Sequence, residues 1–224
     1  LPPAFGISAT AVGILCGFLY IGHQRRHPSP ILSLSLFRNE AFRAATSSGT
    51  IFRVSTGAIP FLMPLLLQLA FGLNPFQSGM ITFAGALGAL MVKFVARRVF
   101  AATGFKVTLI AAGVLGAVTT SVNGFFTPET SHALIIAFLV MSGLCRSFFF
   151  TGSNALSYSE IDDAQASQAT SIASVLQQVS LALGVAFAAF ILEASSVLSG
   201  SHLQLADFHL AFFIVAGVSL FAVV

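Results

Sequence analysis

Long apolar stretches alternate with short polar ones along the whole chain. The apolar stretches cover approximately residues 3–22, 42–72, 77–96, 107–126, 132–158, 167–192 and 207–224. A helix needs about 20 such residues to cross the hydrocarbon core of a bilayer. In lipid only helices and closed barrels satisfy the backbone, and these stretches lack the alternating polarity of barrel strands. The pattern therefore predicts seven membrane-spanning helices, numbered here as segments 1 to 7.

The amino-acid composition also indicates that lipid surrounds most of the protein surface. Of the 224 residues, 8% are charged and 56% are apolar, 24 of them Phe, whereas a soluble domain has about 25% charged residues. This balance excludes a disordered chain, a nucleic-acid-binding surface and a disulfide scaffold. Cys16 and Cys145 both lie inside apolar segments, which favours buried thiols over a disulfide.

Basic residues predict the orientation of the segments. Eight of the ten lie in, or at the edges of, two connections, between segments 1 and 2 and between segments 3 and 4: Arg25, Arg26, Arg38, Arg43, Lys93, Arg97, Arg98 and Lys106. The connections on the opposite side, 72–77, 126–132 and 193–206, contain no Lys or Arg. Because cytoplasmic loops are rich in basic residues, we expect Leu1 to lie outside and Val224 to face the cytoplasm.

The polar stretch after segment 1 suggests how the chain is organised. We predict an extra transmembrane helix over 1–22, a cytoplasmic linker over 23–37 and a six-helix unit over 38–224. The chain shows no signal-peptide pattern, and segment 7 stops at Val224 before it completes a span. We therefore expect a fragment whose last helix is truncated.

The two remaining basic residues, Arg53 and Arg146, fall near the middle of segments 2 and 5. An arginine at this depth is costly, so it indicates a polar cavity or a partner and is a candidate functional residue. The alternative is a structural arginine that binds the carbonyl groups of broken helices. No acid lies at matching depth, so the counter-charge must come from dipoles, water, a substrate or further sequence.

Uncharged polar residues within the segments supply further cavity candidates. They are Gln68 on segment 2, Asn154 on segment 5, and the adjacent Gln177 and Gln178 on segment 6. The alternative for each is a hydrogen bond between helices, which is the commoner role of such residues in a span.

Segments 2–4 and 5–7 form two triplets of opposite topology, and each triplet begins with its most polar segment. An inverted repeat of three plus three helices is the architecture of one half of a major facilitator transporter. Local sequence strengthens this. Residues 30–38 (PILSLSLFR), 53–68 (RVSTGAIPFLMPLLLQ), 72–79 (GLNPFQSG), 154–158 (NALSY), 169–178 (ATSIASVLQQ) and 183–186 (LGVA) resemble the C-terminal half of fourteen-span drug:proton antiporters of that superfamily.

This resemblance implies an all-α membrane fold in which segment 1 is an extra linker span and segments 2–7 are the C-terminal half. It implies a secondary active transporter, most simply a multidrug efflux antiporter, driven by the proton gradient and using no cofactor. The expected partners are a small-molecule substrate, protons, the lipid bilayer and the missing N-terminal half, with no nucleic acid. The expected location is the bacterial cytoplasmic (inner) membrane, as a multi-pass protein.

The basic connection between segments 3 and 4 resembles the cytoplasmic loop signature of the family through Arg97, Arg98, Gly104 and Lys106. The Asp that usually belongs to this signature is absent. Acids at 160, 162 and 163 lie on the same predicted side, so they either pair with Arg97 and Arg98 or cap the start of segment 6.

Other functional classes fit less well. Segment 7 lacks the Lys that a retinal protein needs, no membrane-embedded protease dyad or metal site is visible, and no loop resembles a channel filter. An enzyme is not expected. The alternative function is transport of a small anionic solute or metabolite, since Arg53 and Arg146 can bind a carboxylate or phosphate.

Overall fold

The computed structural model describes residues 3–24, 34–159, 161–200 and 203–223, and their regular structure is entirely helical. A 3₁₀ turn, Leu34–Arg38, precedes the second helix and a π turn, Leu66–Ala70, follows it. The main helices are α1 (Pro3–Gln24), α2 (Glu40–Leu65), α3 (Pro75–Asn123), α4 (His132–Tyr158), α5 (Asp163–Ser199) and α6 (Leu205–Phe221).

Within the described ranges, four helical stretches are long and apolar enough to cross a membrane. They are Phe42–Ala70, Pro75–Asn123, His132–Tyr158 and Gln165–Leu198, and the shorter apolar helices are Ser8–His23 and Leu205–Phe221. The prediction of an all-helical integral membrane protein is therefore confirmed.

The predicted turn between segments 3 and 4 is a single residue, Gly104, which interrupts α3 with φ 76° and ψ 165°. This backbone region is open only to glycine. The rings of Phe100 and Phe105 stack across the break with their centroids 4.8 Å apart. Phe100 and Leu109 both reach Gly152 on α4, so the two halves of α3, residues 75–103 and 105–123, lie side by side.

Side-chain caps explain where two of the spans begin. The side chain of Asn39 accepts a hydrogen bond from the Phe42 amide at 2.9 Å at the start of α2. At the start of α3, Asn74 and Gln77 form a reciprocal capping box around Pro75. These caps satisfy backbone N–H groups that have no partner within the helix. The end of α2 is instead loosened by Pro64, which has no N–H to donate, and the π turn follows it.

Glycines bring α3 and α4 into backbone contact. A Cβ added at Gly88 would overlap the carbonyl oxygen of Val140, and one added at Gly143 would overlap that of Gly85. Small residues of this kind let membrane helices approach closely. The first half of α3 therefore crosses α4 so closely that no residue larger than glycine fits at these two positions.

A second glycine crossing joins α2 to α5. A Cβ at Gly184 would overlap the carbonyl oxygen of Val54, and one at Gly57 would lie 2.9 Å from that of Leu181. In both crossings the first helix of one triplet meets the second helix of the other. The two crossings are thus related as the predicted inverted repeat requires.

Helix α6 completes the core of the six-helix unit. Phe208, Phe212 and Val215 on one face of α6 are fully buried and pack in one cluster with Leu62 and Leu66. By contrast, the side chains described between Ser8 and His23 on α1 are exposed, except for the half-buried Tyr20. This is in keeping with α1 as a helix outside the unit, although the predicted boundaries 1–22, 23–37 and 38–224 stay a prediction.

Candidate functional site

Arg53 lies on α2, and its guanidinium group contacts residues of α4. Its Nη2 donates to the Oδ1 of Asn154 at 2.8 Å, and the carbon of its guanidinium lies 5.1 Å from the centroid of the Phe150 ring. A Cβ at Gly49, one turn towards the helix start, would lie 3.1 Å from Nη1. The side chain therefore points towards the predicted cytoplasmic end of α2, so the charge lies closer to that surface than the backbone of Arg53 does.

The contact around Arg53 is reinforced by hydroxyl and aromatic groups. The hydroxyl of Ser153 donates a hydrogen bond to the carbonyl of Ala45 at 2.9 Å, and the rings of Phe52 and Phe149 stack with their centroids 3.9 Å apart. Arg53 itself is buried, whereas Asn154 is exposed. The pair thus joins the first helices of the two triplets at a position that is accessible from one side of the six-helix unit.

Arg146 occupies a different environment. It lines a cavity of about 310 Å³ between α2, the first half of α3 and α4. The cavity is lined by Ile59, Pro60, Met63, Pro64, Gly79, Thr82, Phe83, Gly85, Leu139, Ser142, Gly143 and Arg146. Most of these residues belong to the predicted outer halves of their helices. The side chain of Arg146 therefore lies towards the predicted outer side of the unit, whereas that of Arg53 points towards the predicted cytoplasmic side. Within the described chain, the guanidinium of Arg146 makes no hydrogen bond, ion pair or ring contact.

The other polar candidates are separate from both arginines. Gln68 is half-buried in the π turn, and Gln177 and Gln178 are both exposed on α5. None of the three makes a side-chain hydrogen bond with another described residue. Two adjacent amides on the outside of a span are costly in lipid. We therefore expect them to face a polar cavity or another protein surface, which stays a prediction.

The predicted loop signature surrounds the break in α3. Arg97, Arg98 and Lys106 are exposed on either side of Gly104. Lys106 also lies at the edge of a larger cavity, of about 680 Å³, whose walls come from α2, the second half of α3, α4 and the end of α6. Its lining is mostly apolar, with the hydroxyls of Ser47, Ser48 and Ser153 as uncharged polar groups.

The proposed partners of Arg97 and Arg98 are only partly described. Asp162 stands at the N-cap position of α5, but its side chain makes no cap hydrogen bond. Among the described residues no ion pair joins Asp162 to either arginine. Glu160, together with Arg25 and Arg26, lies outside the described residues, as does the side chain of Asp163, so pairing with those two acids stays a hypothesis.

Asp207, in the first turn of α6, is a buried acid that is not among the candidate residues predicted from the sequence. It is 5% exposed, accepts a hydrogen bond from the Ser195 hydroxyl, and accepts another from the Gln204 amide at 2.7 Å. The usable signal was its position three residues after Gln204, where a helix-capping acid belongs. Nearby on α6, the Nε2 of His209 lies 3.0 Å from the carbonyl oxygen of Phe126.

The described part of the chain contains no group of three or more His, Cys, Asp or Glu residues placed to hold a metal ion. Instead, the structure combines long apolar helices, glycine crossings related by an inverted repeat, and two arginines within the spans. This arrangement defines a polytopic membrane protein with the architecture of one half of a transporter.

Residues 45–224 match the model of the Major Facilitator Superfamily, and the chain belongs to this family. It is 33% identical over 186 residues to HsrA of Haemophilus influenzae, which is named as a probable transport protein, covering 83% of this chain and 40% of that relative. It is 28% identical over 193 residues to MdtD of Klebsiella pneumoniae, whose name assigns it provisionally to multidrug resistance, covering 86% of this chain and 41% of that relative. MdtD of Escherichia coli gives the same identity and coverage.

The chain therefore spans about two fifths of the length of these relatives. It is an integral membrane protein of a transporter family and is not an enzyme.

Proposed function

We propose that this chain is the C-terminal half of a proton-coupled efflux transporter for drugs or other lipophilic compounds in the bacterial cytoplasmic membrane. The missing N-terminal half and the proton-carrying residue would lie in the rest of a longer protein, since a cavity between two halves needs both.

The observation that carries this proposal is the cavity of about 680 Å³ on the predicted cytoplasmic side. Ligand sites have volumes of about 300 to 1,000 Å³ and are mainly apolar with a few polar groups. The lining of Ile51, Leu109, Phe149 and Leu156 with a few serines has this character. A lipophilic compound entering from the cytoplasm or the inner leaflet meets such a surface first. The names of the relatives from Klebsiella and Escherichia point to the same class of substrate.

The test is transport by the full-length protein in inverted membrane vesicles, with ethidium as the cationic lipophilic substrate. We expect uptake into the vesicles that stops when a protonophore dissipates the proton gradient. Ser47→Leu should reduce this uptake, because the larger side chain of an exposed lining residue fills the cavity, whereas Ser131→Leu, outside both cavities, should not. Uptake that survives the protonophore would contradict proton coupling, and no uptake of any lipophilic cation would contradict drug efflux.

A second candidate is transport of a small anionic solute, and the guanidinium of Arg146, which has no partner among the described residues, favours it. Arg146→Ala and Arg53→Ala separate the two functions when the same vesicles are assayed with ethidium and with an organic anion. Anion transport by the wild type that these variants abolish would support the second candidate, and wild-type vesicles that carry ethidium but no organic anion would contradict it.

A further inference from the structure

The cavity beside Arg146 has an unusual balance of polar groups. Ser142 lies one helical turn before Arg146 on α4, so both side chains reach the same cavity. The hydroxyl of Ser142 makes no hydrogen bond within the described chain. The third polar side chain, Thr82, already donates to the carbonyl of Ser78 at 2.9 Å. The cavity therefore holds two free donor groups, and its lining includes no Asp or Glu.

Its walls are otherwise apolar and compact. Ile59, Met63, Phe83 and Leu139 surround the donor pair, and the volume of about 310 Å³ is at the small end of the range for ligand sites. Gly79 keeps part of this space open, since an ideal Cβ there meets no atom within 4 Å, whereas Gly85 and Gly143 line the cavity where α3 and α4 cross.

Arg53 provides an internal comparison. Its guanidinium has an amide oxygen and an aromatic ring as partners, whereas that of Arg146 finds neither in the part of the chain that the structure describes. An arginine within a span that lacks a partner is costly, and in a cavity of donors it attracts a group that brings negative charge and acceptor atoms. A carboxylate fits best, since its two oxygens match the planar fork of a guanidinium.

We propose that this cavity binds a carboxylate attached to a compact apolar group, such as an aromatic acid, with Arg146 and Ser142 as donors to the carboxylate. The inference rests on the proposed function, because the bound molecule would be a transported solute. It specifies the chemical class that the outer half of the pathway recognises.

Equilibrium binding tests the proposal. The purified 224-residue chain in lipid nanodiscs is titrated with radiolabelled 2-naphthoate and with its methyl ester, which has the same apolar body without the charge. We expect the chain to prefer the acid, and Arg146→Gln to weaken acid binding by about tenfold to hundredfold with ester binding unchanged. Arg146→Lys should have an intermediate effect, Ser142→Ala a smaller one, and Arg43→Gln, the same change at the cytoplasmic surface, none.

The ratio of acid to ester affinity does not depend on how much of a variant is folded, so a destabilised variant still gives an answer. Equal weakening of both probes by Arg146→Gln would overturn the proposal, as would a wild-type chain that does not bind the acid.

The same carboxylate chemistry could come from an acidic side chain elsewhere in the longer protein. In that case the 224-residue chain would bind 2-naphthoate but the full-length transporter would not, and the solute assignment would fail. Continued ethidium efflux by the full-length Arg146→Gln variant would then leave the proposed efflux function standing.

Discussion

The Nη2 of Arg53 donates a hydrogen bond of 2.8 Å to the Oδ1 of Asn154, a residue 101 positions further along the chain. The bond joins the first helices of the two inverted triplets. It also gives a buried charge an acceptor, which a bilayer would not provide.

Removing only the acceptor should therefore destabilise the chain. We expect Asn154→Leu to cost about 1.5 to 3 kcal/mol, because the charged donor loses its partner. The double variant with Arg53→Met should cost clearly less than the sum of the two single changes. Denaturant unfolding of the purified chain in detergent micelles measures all three. Strict additivity would mean that the two side chains do not interact.

The close crossing of α3 and α4 predicts intolerance at Gly88. Alanine there would overlap the Val140 carbonyl, so we expect a loss of about 1 to 3 kcal/mol from overpacking. Gly79 on the same helix has no atom within 4 Å of its ideal Cβ, and Gly79→Ala should be neutral or slightly stabilising. Melting temperatures of the two variants in the same detergent make the comparison, and equal values would be inconsistent with the crossing.

The break in α3 predicts a backbone penalty at Gly104. Alanine should cost about 1 to 3 kcal/mol, because φ 76° with ψ 165° is strained for any residue with a Cβ. Gly13→Ala in the exposed part of α1 is the matched control, and a small gain in helix stability is expected there. Thermal unfolding distinguishes the two, and a harmless Gly104→Ala would argue for a continuous helix instead.

The buried carboxylate of Asp207 connects α5 to α6 through Ser195. Asp207→Ala should lower the free energy of unfolding by about 1 to 3 kcal/mol, since the Ser195 hydroxyl and the Gln204 amide both lose their acceptor. Glu193→Ala removes an exposed acid from the same region of α5 and should change it by less than about 0.5 kcal/mol. Comparable losses from both would show that Asp207 has no special structural role.

Much of the helical architecture could be predicted because hydrophobic length and turn residues are local signals. Segment 5 was predicted over 132–158 and α4 runs over His132–Tyr158, since Pro128 and its neighbours stop the apolar pattern before it. Segment 6 was predicted over 167–192, but α5 runs from Asp163 to Ser199. Polar residues at its ends continue the helix without adding to the apolar signal. For the same reason, the predicted turn near Gly104 was longer than the single residue observed.

The partners of the candidate residues could not be predicted, because they depend on how distant helices pack. Arg53 and Asn154 were each selected from the sequence, but nothing local indicates that they bind each other. Arg146 had the same signal as Arg53, yet only the packing of three helices reveals its cavity. Asp207 follows a polar connection, where solvation is the usual outcome, and its contact with Ser195 of α5 depends on how the two helices pack.

During synthesis, the two halves of α3 have no loop between them that could be held back or translocated separately. We therefore expect them to enter the bilayer together as a hairpin, with Gly104 at its closed end. Arg97, Arg98 and Lys106 flank that closed end, and because basic residues resist translocation we expect them to keep the tip of the hairpin on the predicted cytoplasmic side.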